Sequence, residues 1–418
     1  MAYFLILPSP LQSCLTGFIE EYRMPGNTAS FSRAEWGLIV AIVLVAISLR
    51  PGIVSMGPAL PAIINTFQLS HAMASMMTAI PDVLMGALAL PTPWLVRRFG
   101  VNRVLMLALS ILSVAMIVRA YASNSTVLMT ATVGVGAGIA VAGAMFAGIA
   151  KASFANHAAF IMGVYATALS LGSTLSAGFT GWILQSAGWR LATGVWAIFG
   201  LIAIVAWWLV IRKSVTTRQL SAAPSMTAIP RSRLPLRTPV AWLIALFFAC
   251  INFLFYSILT WTASMYQERG MSAAEAGAVL ASFTFCFMLA SPIVGMYSRH
   301  IDRRGWLAGC ALLSTIGLVG IATPGESPWL WVPLAAFGLG GAFTLAMTLP
   351  LDHTHSPDGA NRWNAFVLTV GYLIAATGPF IMGWMRDISG HFTGAYQLLV
   401  VVSLLMLVLA TKLKPPVH

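Results

Sequence analysis

Charge is what this chain has least of: 8% of its 418 residues are Asp, Glu, Lys or Arg, and only 11 are acidic, where a soluble domain carries about 25% charged residues. No solvated surface can be built from that supply. The four cysteines, Cys14, Cys250, Cys286 and Cys310, have no ligand spacing, and three sit inside apolar runs, which excludes a zinc cluster and a disulfide frame. No Gly-Lys-Ser/Thr string occurs, so nucleotide hydrolysis is not an expected energy source. No His/Glu cluster or Ser/His/Asp set lies at a common depth, so neither an enzyme nor a cofactor is expected. The first 23 residues hold a short apolar run, Tyr3 to Leu7, without the basic flank of a secretory signal, and Met24 offers an alternative start.

What is present is apolar and periodic on a large scale. Hydrophobic residues make up 59% of the chain and the mean hydropathy is +0.86. They come in runs of roughly 20, the length that crosses about 30 Å of hydrocarbon as a helix. An outer-membrane barrel, with alternation over about ten residues, is excluded. About twelve spans are expected: 36–60, 74–95, 104–121, 127–149, 158–184, 191–211, 239–263, 273–297, 305–323, 328–350, 363–385 and 395–411.

The chain also repeats itself at an offset of 202 residues, without a gap. Gly136 and Gly138 return as Gly338 and Gly340, Gly181-Trp182 with Gly188 as Gly383-Trp384 with Gly390, Leu69-Ser70 as Met271-Ser272, Arg97 as Arg299, and Ala144-Met145 as Ala346-Met347. Six spans per copy is an even number, so both copies enter from the same side as parallel repeats. The predicted fold is an all-α membrane protein of two six-helix bundles, 36–211 and 239–411. Residues 1–35 form an N-terminal extension, 212–238 a linker carrying Pro224, Pro230 and Pro235 with Pro239 just beyond it, and 412–418 a tail.

The formal charge of +12 does not point to nucleic acid, because the basic residues occupy alternate connections instead of one patch. Arg97, Arg98, Arg103, Lys151, Arg212, Lys213, Arg218, Arg231, Arg233, Arg237, Arg299, Arg303, Arg304, Arg362, Lys412 and Lys414 fall on one side, and Arg119, Arg190, Arg269 and Arg386 near the other. The positive-inside rule then places both termini and the linker in the cytoplasm, with the bilayer of a cell inner membrane as solvent.

Ionisable groups deep in a span are costly and mark pathways. Arg50 lies about mid-way along the first span, directly before Pro51-Gly52, which interrupts the helix. Its guanidinium offers five donors in a fixed fork, suited to an anion or a polarised carbonyl, with an internal helix lock as the alternative. Asp82 follows Pro81 at similar depth in the second span. Three roles are open to it: counter-ion of Arg50, proton-coupling carboxylate, or a polar wall with neither task. The repeat maps Arg50 to Asn252 and Asp82 to Thr284, so the charged pair belongs to one copy alone. Around Asn252 stand Tyr256, Ser257 and Trp261, with Phe283, Phe285 and Phe287 in the next span; Asn252, Tyr256 and Trp261 are the expected second wall of a site for a small planar solute. The intramembrane Gly-x-Gly pairs are close-packing seams, not phosphate loops. Asp352-His353-Thr354-His355 reads as a structural latch to Arg362 or a neighbouring basic residue and not as a metal site, since His at i, i+2 do not share a helix face.

With these residues in view, the chain resembles the major facilitator superfamily over 36–411 and, within it, the cyanate and 2-nitroimidazole transporter family. Leu49-Arg50-Pro51 with Ser55-Met56-Gly57-Pro58-Ala59-Leu60-Pro61 is similar to that family's Arg-Pro…Gly-Pro-Leu-Leu-Pro segment, and Gly338-Leu339-Gly340-Gly341-Ala342-Phe343 with Leu351-Asp352-His353 to its Gly-Leu-Gly-Gly-Ala-Phe…Leu-Asp-His string. The resemblance implies a secondary transporter of a cyanate-like anion or a small planar organic solute, working by alternating access, with protons as a coupling partner, as a monomer. A drug/proton antiporter is the alternative, and a non-transporting sensor or scaffold a more distant one. It also implies cytoplasmic gating residues, here Arg97, Arg98, Arg299 and Asp302. The superfamily's Gly-x-x-x-Asp-Arg-x-Gly-Arg-Arg stretch is degenerate, with Pro93 and Arg97 at its Gly and Asp positions and Arg98 and Gly100 retained. Gly172-Ser173 stands where span 5 of an antiporter carries Gly-Pro.

Overall fold

The computed structural model describes residues 32–89, 91–154, 157–212, 235–298, 302–354 and 357–413. The described residues form sixteen helices and no strand. The first copy contains α1 (Arg33–Leu49), α2 (Pro51–Val54), α3 (Met56–Phe67), α4 (His71–Leu88), α5 (Thr92–Phe99), α6 (Val101–Ala120), α7 (Ser125–Ser153), α8 (Ala158–Gly194) and α9 (Ala197–Arg212). The second contains α10 (Pro239–Glu268), α11 (Ala273–Tyr297), α12 (Arg304–Ala322), α13 (Pro328–Asp352), α14 (Pro357–Ala375), α15 (Thr377–Ser389) and α16 (Thr393–Lys412).

Ten helical stretches among the described residues are long and apolar enough to cross a membrane, and α4 with α5, bent by 65°, makes an eleventh. The longest stretch, Phe160–Arg212, runs for 53 residues, which at 1.5 Å per residue is roughly 80 Å and far exceeds one bilayer. It reverses at Gly188, whose φ of 74° lies outside helical space. Counted as two, it brings the total to the twelve spans expected from the sequence.

The repeat pairs have structural causes. Gly188 and Gly390, at φ 74° and 78°, both turn the chain where a side chain would be strained. Ser70 and Ser272 both cap a helix, accepting from the amides of Met73 and Glu275. Gly181 and Gly383 are each the point where the opposite copy's helix start presses in. A Cβ on Gly181 would overlap the Ala273 carbonyl oxygen, and one on Gly383 would sit 2.6 Å from the His71 carbonyl oxygen. The Gly136 and Gly138 seam is equally tight, since added Cβ atoms would meet Pro81 at 2.8 Å and the Ala108 carbonyl at 2.7 Å. At these points the missing side chain is what lets the helices approach so closely.

Candidate functional site

The α1 helix stops at Leu49 because Pro51 has no amide to continue the ladder. Arg50 is the hinge residue, and its carbonyl takes the amides of Ile53 (3.0 Å) and Val54 (3.1 Å) to restart the chain as α2. Leu49, Pro51, Gly52 and Ile53 are buried while Arg50 itself keeps partial exposure between the bundles. Arg50 Nη1 donates to the Tyr256 hydroxyl of the second copy at 3.4 Å, a long contact for a group with five donors. Tyr165 on α8 and Tyr372 on α14 lie within reach of the same charge.

Tyr256 belongs to a closed circuit of aromatic rings in the second bundle. Centroids run from Tyr256 to Phe255 (5.1 Å), Phe287 (4.8 Å), Phe343 (5.6 Å), Phe248 (5.7 Å) and Tyr372 (5.9 Å), and back to Tyr256 (6.3 Å). Ring separations of 4.5–7 Å are those of attractive offset and edge contacts. In the first copy, Tyr165 stacks on Phe146 at 4.6 Å. The arrangement is one cation from the first copy facing a wall of π faces and hydroxyls from the second. It has the chemistry to hold a small planar solute with a negative or electron-rich edge.

The expected residues divide. Arg50 and Tyr256 meet. Asn252 is buried on the same face of α10, and its amide nitrogen is used by the carbonyl of Phe248, at 2.9 Å. Trp261 does not join them: its indole donates to the Pro379 carbonyl at 2.8 Å and packs on His71 and Phe392, away from Arg50. Phe283 and Phe287 line the interior, whereas Phe285 is 45% exposed on the outward face of α11, because alternate positions on a helix point apart. Tyr165, Tyr372, Phe248 and Phe343 were not readable as site residues, since each is one apolar or aromatic letter in a long apolar run.

Asp82 is fully buried, and neither carboxyl oxygen has a hydrogen-bond partner. No ion pair within 4.0 Å joins it to Arg50. The counter-ion role is therefore not realised as a contact in this conformation. Its repeat mate Thr284 instead bonds Thr174 across the bundle interface at 3.0 Å.

The end of the molecule away from the basic connections is closed. Asp387 of α15 accepts the His71 and Ala72 amides (2.8 and 2.9 Å) and contacts His71 Nδ1 at 2.7 Å. Thr260 donates to Thr78 at 2.9 Å, and Gln267 to the Pro58 carbonyl at 3.0 Å. Each of these contacts joins the two copies.

At the basic end stand the residues expected to gate. Arg97 and Arg98 are exposed on α5, and Arg98 lies over the rings of Trp94 (5.4 Å) and Phe99 (5.5 Å) of its own helix. Arg299 lies outside the described residues. Asp302 is engaged by Arg304 two residues on, at 2.6 Å, and those bonds lower its carboxyl pKa to about 2. The cross-helix contact belongs to its neighbour Arg303, which reaches Thr348 (2.6 Å) and Asp352 (3.1 Å) within the second bundle. Asp352 thus meets a neighbouring basic residue, and His353 stacks on Trp363 at 6.4 Å; His355 lies outside the described residues.

A family model of the Major Facilitator Superfamily matches residues 38–359 and 263–418. The cyanate transport protein CynX of Escherichia coli (strain K12) is 31% identical over 376 residues, which is 89% of this chain and 96% of that protein. The 2-nitroimidazole transporter of the same organism is 28% identical over 377 residues, 88% of this chain and 93% of that one. Among solved structures, a bacterial homologue of the human lysosomal transporter Spinster, in an inward-facing and occupied conformation, superposes with a TM-score of 0.71 at 17% identity, covering 92% of this chain and 97% of that chain.

Proposed function

The chain belongs to the Major Facilitator Superfamily of small-solute transporters, and we propose that it carries a cyanate-like anion or a small planar organic solute such as a nitroimidazole by alternating access. The observation that carries this reading is the largely buried Arg50 guanidinium at a broken helix, held by one 3.4 Å contact to Tyr256 and facing the aromatic circuit. A cation so lightly engaged within the bilayer keeps donors for a solute.

In this reading Arg50 binds the electron-rich edge, while Tyr256 and Tyr372 offer hydroxyls and ring faces from the opposite bundle. Asp82 carries the coupling proton, a role its lack of any ion pair favours over that of counter-ion. The positive-inside rule puts the basic end in the cytoplasm of an inner-membrane protein, so the closed far end is the side away from the cytoplasm. A cysteine placed at Pro224, in the linker, should then label only from the cytoplasm; labelling of intact cells by an impermeant thiol reagent overturns that orientation.

The deciding experiment is uptake of cyanate and of 2-nitroimidazole by proteoliposomes. Arg50→Lys keeps the charge and loses the planar fork, and should lower uptake at least tenfold. Undiminished uptake by a well-folded Lys variant makes Arg50 a structural cation and removes the reading.

A further inference from the structure

Arg119 sits in the last turn of α6, where a basic residue ordinarily neutralises the carbonyls of its own helix end. That task is already taken. Arg190 of α8 donates to the carbonyls of Ala120 (3.1 Å) and Ala122 (2.8 Å). Arg119 instead turns inward, is 1% exposed, and donates from Nη2 to the carbonyl of Gly52 at 2.8 Å. Its Nε and Nη1 have no partner. A long basic side chain at a helix end has water within easy reach by snorkelling, so burying it against one carbonyl is a costly alternative that calls for a reason.

The reason lies in the repeat. Gly52 is two residues beyond Arg50, in the one-turn helix α2 created by the Pro51 interruption. At the 202-residue offset, Arg50-Pro51-Gly52 becomes Asn252-Phe253-Leu254 inside the unbroken α10, and Arg119 becomes Ile321, fully buried. The helix-end cap survives in the second copy, supplied by Arg269 to the Ile321 carbonyl at 3.3 Å. Both copies keep a capping arginine, but the inward-turned one exists only where the first helix is broken. Broken backbone at membrane depth needs a partner from a neighbouring helix.

We propose that Arg119 is a positioning residue for solute binding: it pins the Gly52 carbonyl, fixes the α2 turn, and so holds the Arg50 guanidinium against the aromatic wall. Arg119 itself touches no solute. The inference rests on Arg50 being the solute-binding cation, and the test separates the two.

Arg119→Met keeps length and removes the donor, and Arg119→Lys retains one donor able to reach the carbonyl. Two measurements are made on each: hydrogen exchange of the Ile53, Val54 and Ser55 amides, which bond back to Arg50 and Pro51, and KM and kcat for cyanate and 2-nitroimidazole uptake, with Arg50→Ala as control. The expectation is exchange about tenfold faster at these three amides in the Met variant, KM raised at least tenfold with kcat within about twofold, and substantial rescue of both by Lys. Unchanged exchange at the three amides overturns the pinning. Faster exchange with unchanged KM, while Arg50→Ala abolishes uptake, overturns the positioning role alone. Should Arg50→Ala leave uptake intact, or should neither solute be carried, the reading of Arg50 falls and exchange by itself decides whether Arg119 pins the turn. If the Met variant does not fold, Arg119→Gln, too short to reach the carbonyl, is measured in its place: faster exchange at the three amides supports the pin, and unchanged exchange overturns it.

Discussion

Replacing Asp387 by Ala should shift the molecule toward opening at its far end, by an amount that follows from the contacts it loses. The first four amides of α4 need partners from outside the helix. Met73 and Ala74 are served locally by the Ser70 hydroxyl and carbonyl, while His71 and Ala72 are served by Asp387 from the other bundle. Loss of such a cap costs about 1 kcal/mol, and loss of a charge-assisted contact, here to the His71 ring at 2.7 Å, costs about 1.5–3 kcal/mol before screening. Because Asp387 is 25% exposed, water substitutes for part of this, and roughly 2 kcal/mol is a reasonable net figure. The loss applies only to the closed arrangement, because on opening the same groups are hydrated in either variant. That corresponds to about a 30-fold change in the closed-to-open ratio, enough to raise an open fraction of about 1% to about 25%. Spin labels on the exposed loop residues Ser123 and Ser327, one in each bundle, would report it as a growing long-distance population. Asp387→Asn, which keeps one acceptor oxygen, should fall between. An Ala variant whose distance distribution matches wild type would refute the assignment of this contact as a closing element.

Two further outcomes are expected. Asp82→Asn should fold at least as well as wild type, because no ion pair is lost, and should still exchange solute while losing pH-driven accumulation; a drop of several degrees in Tm with coupling intact would return Asp82 to a counter-ion role. Gly181→Val places side-chain atoms on the Ala273 carbonyl and should destabilise the protein by about 1–3 kcal/mol, read as lower Tm and yield, whereas the same change at Gly163, which has open space, should be near neutral. Equal behaviour of the two valine variants would show that the bundle interface yields at α8.

The sequence alone carried the class, the number of spans, the duplication and the one cation worth watching. Each is a property of letters along the chain: apolar run length is set by bilayer thickness, a gapless offset is visible without coordinates, and a Pro-Gly after a deep arginine declares a break by missing a donor. Even the motif glycines were legible as seams, although not what pressed on them. Tertiary structure decided everything that depends on which helix faces which. Tyr165 and Tyr372 are separated from Arg50 by over a hundred residues, and ordinary aromatic letters acquire a role only when helix rotation turns them toward the same charge. Trp261, one helical turn and a half from Tyr256, pointed elsewhere for the same reason. Arg119 was read as a boundary residue because its backbone does lie near the far end, and a side chain of that length can turn toward water or toward the interior. The choice was fixed by a carbonyl 67 residues earlier in the chain, in the short helix that follows the Pro51 break, and no local pattern around residue 119 could have announced it.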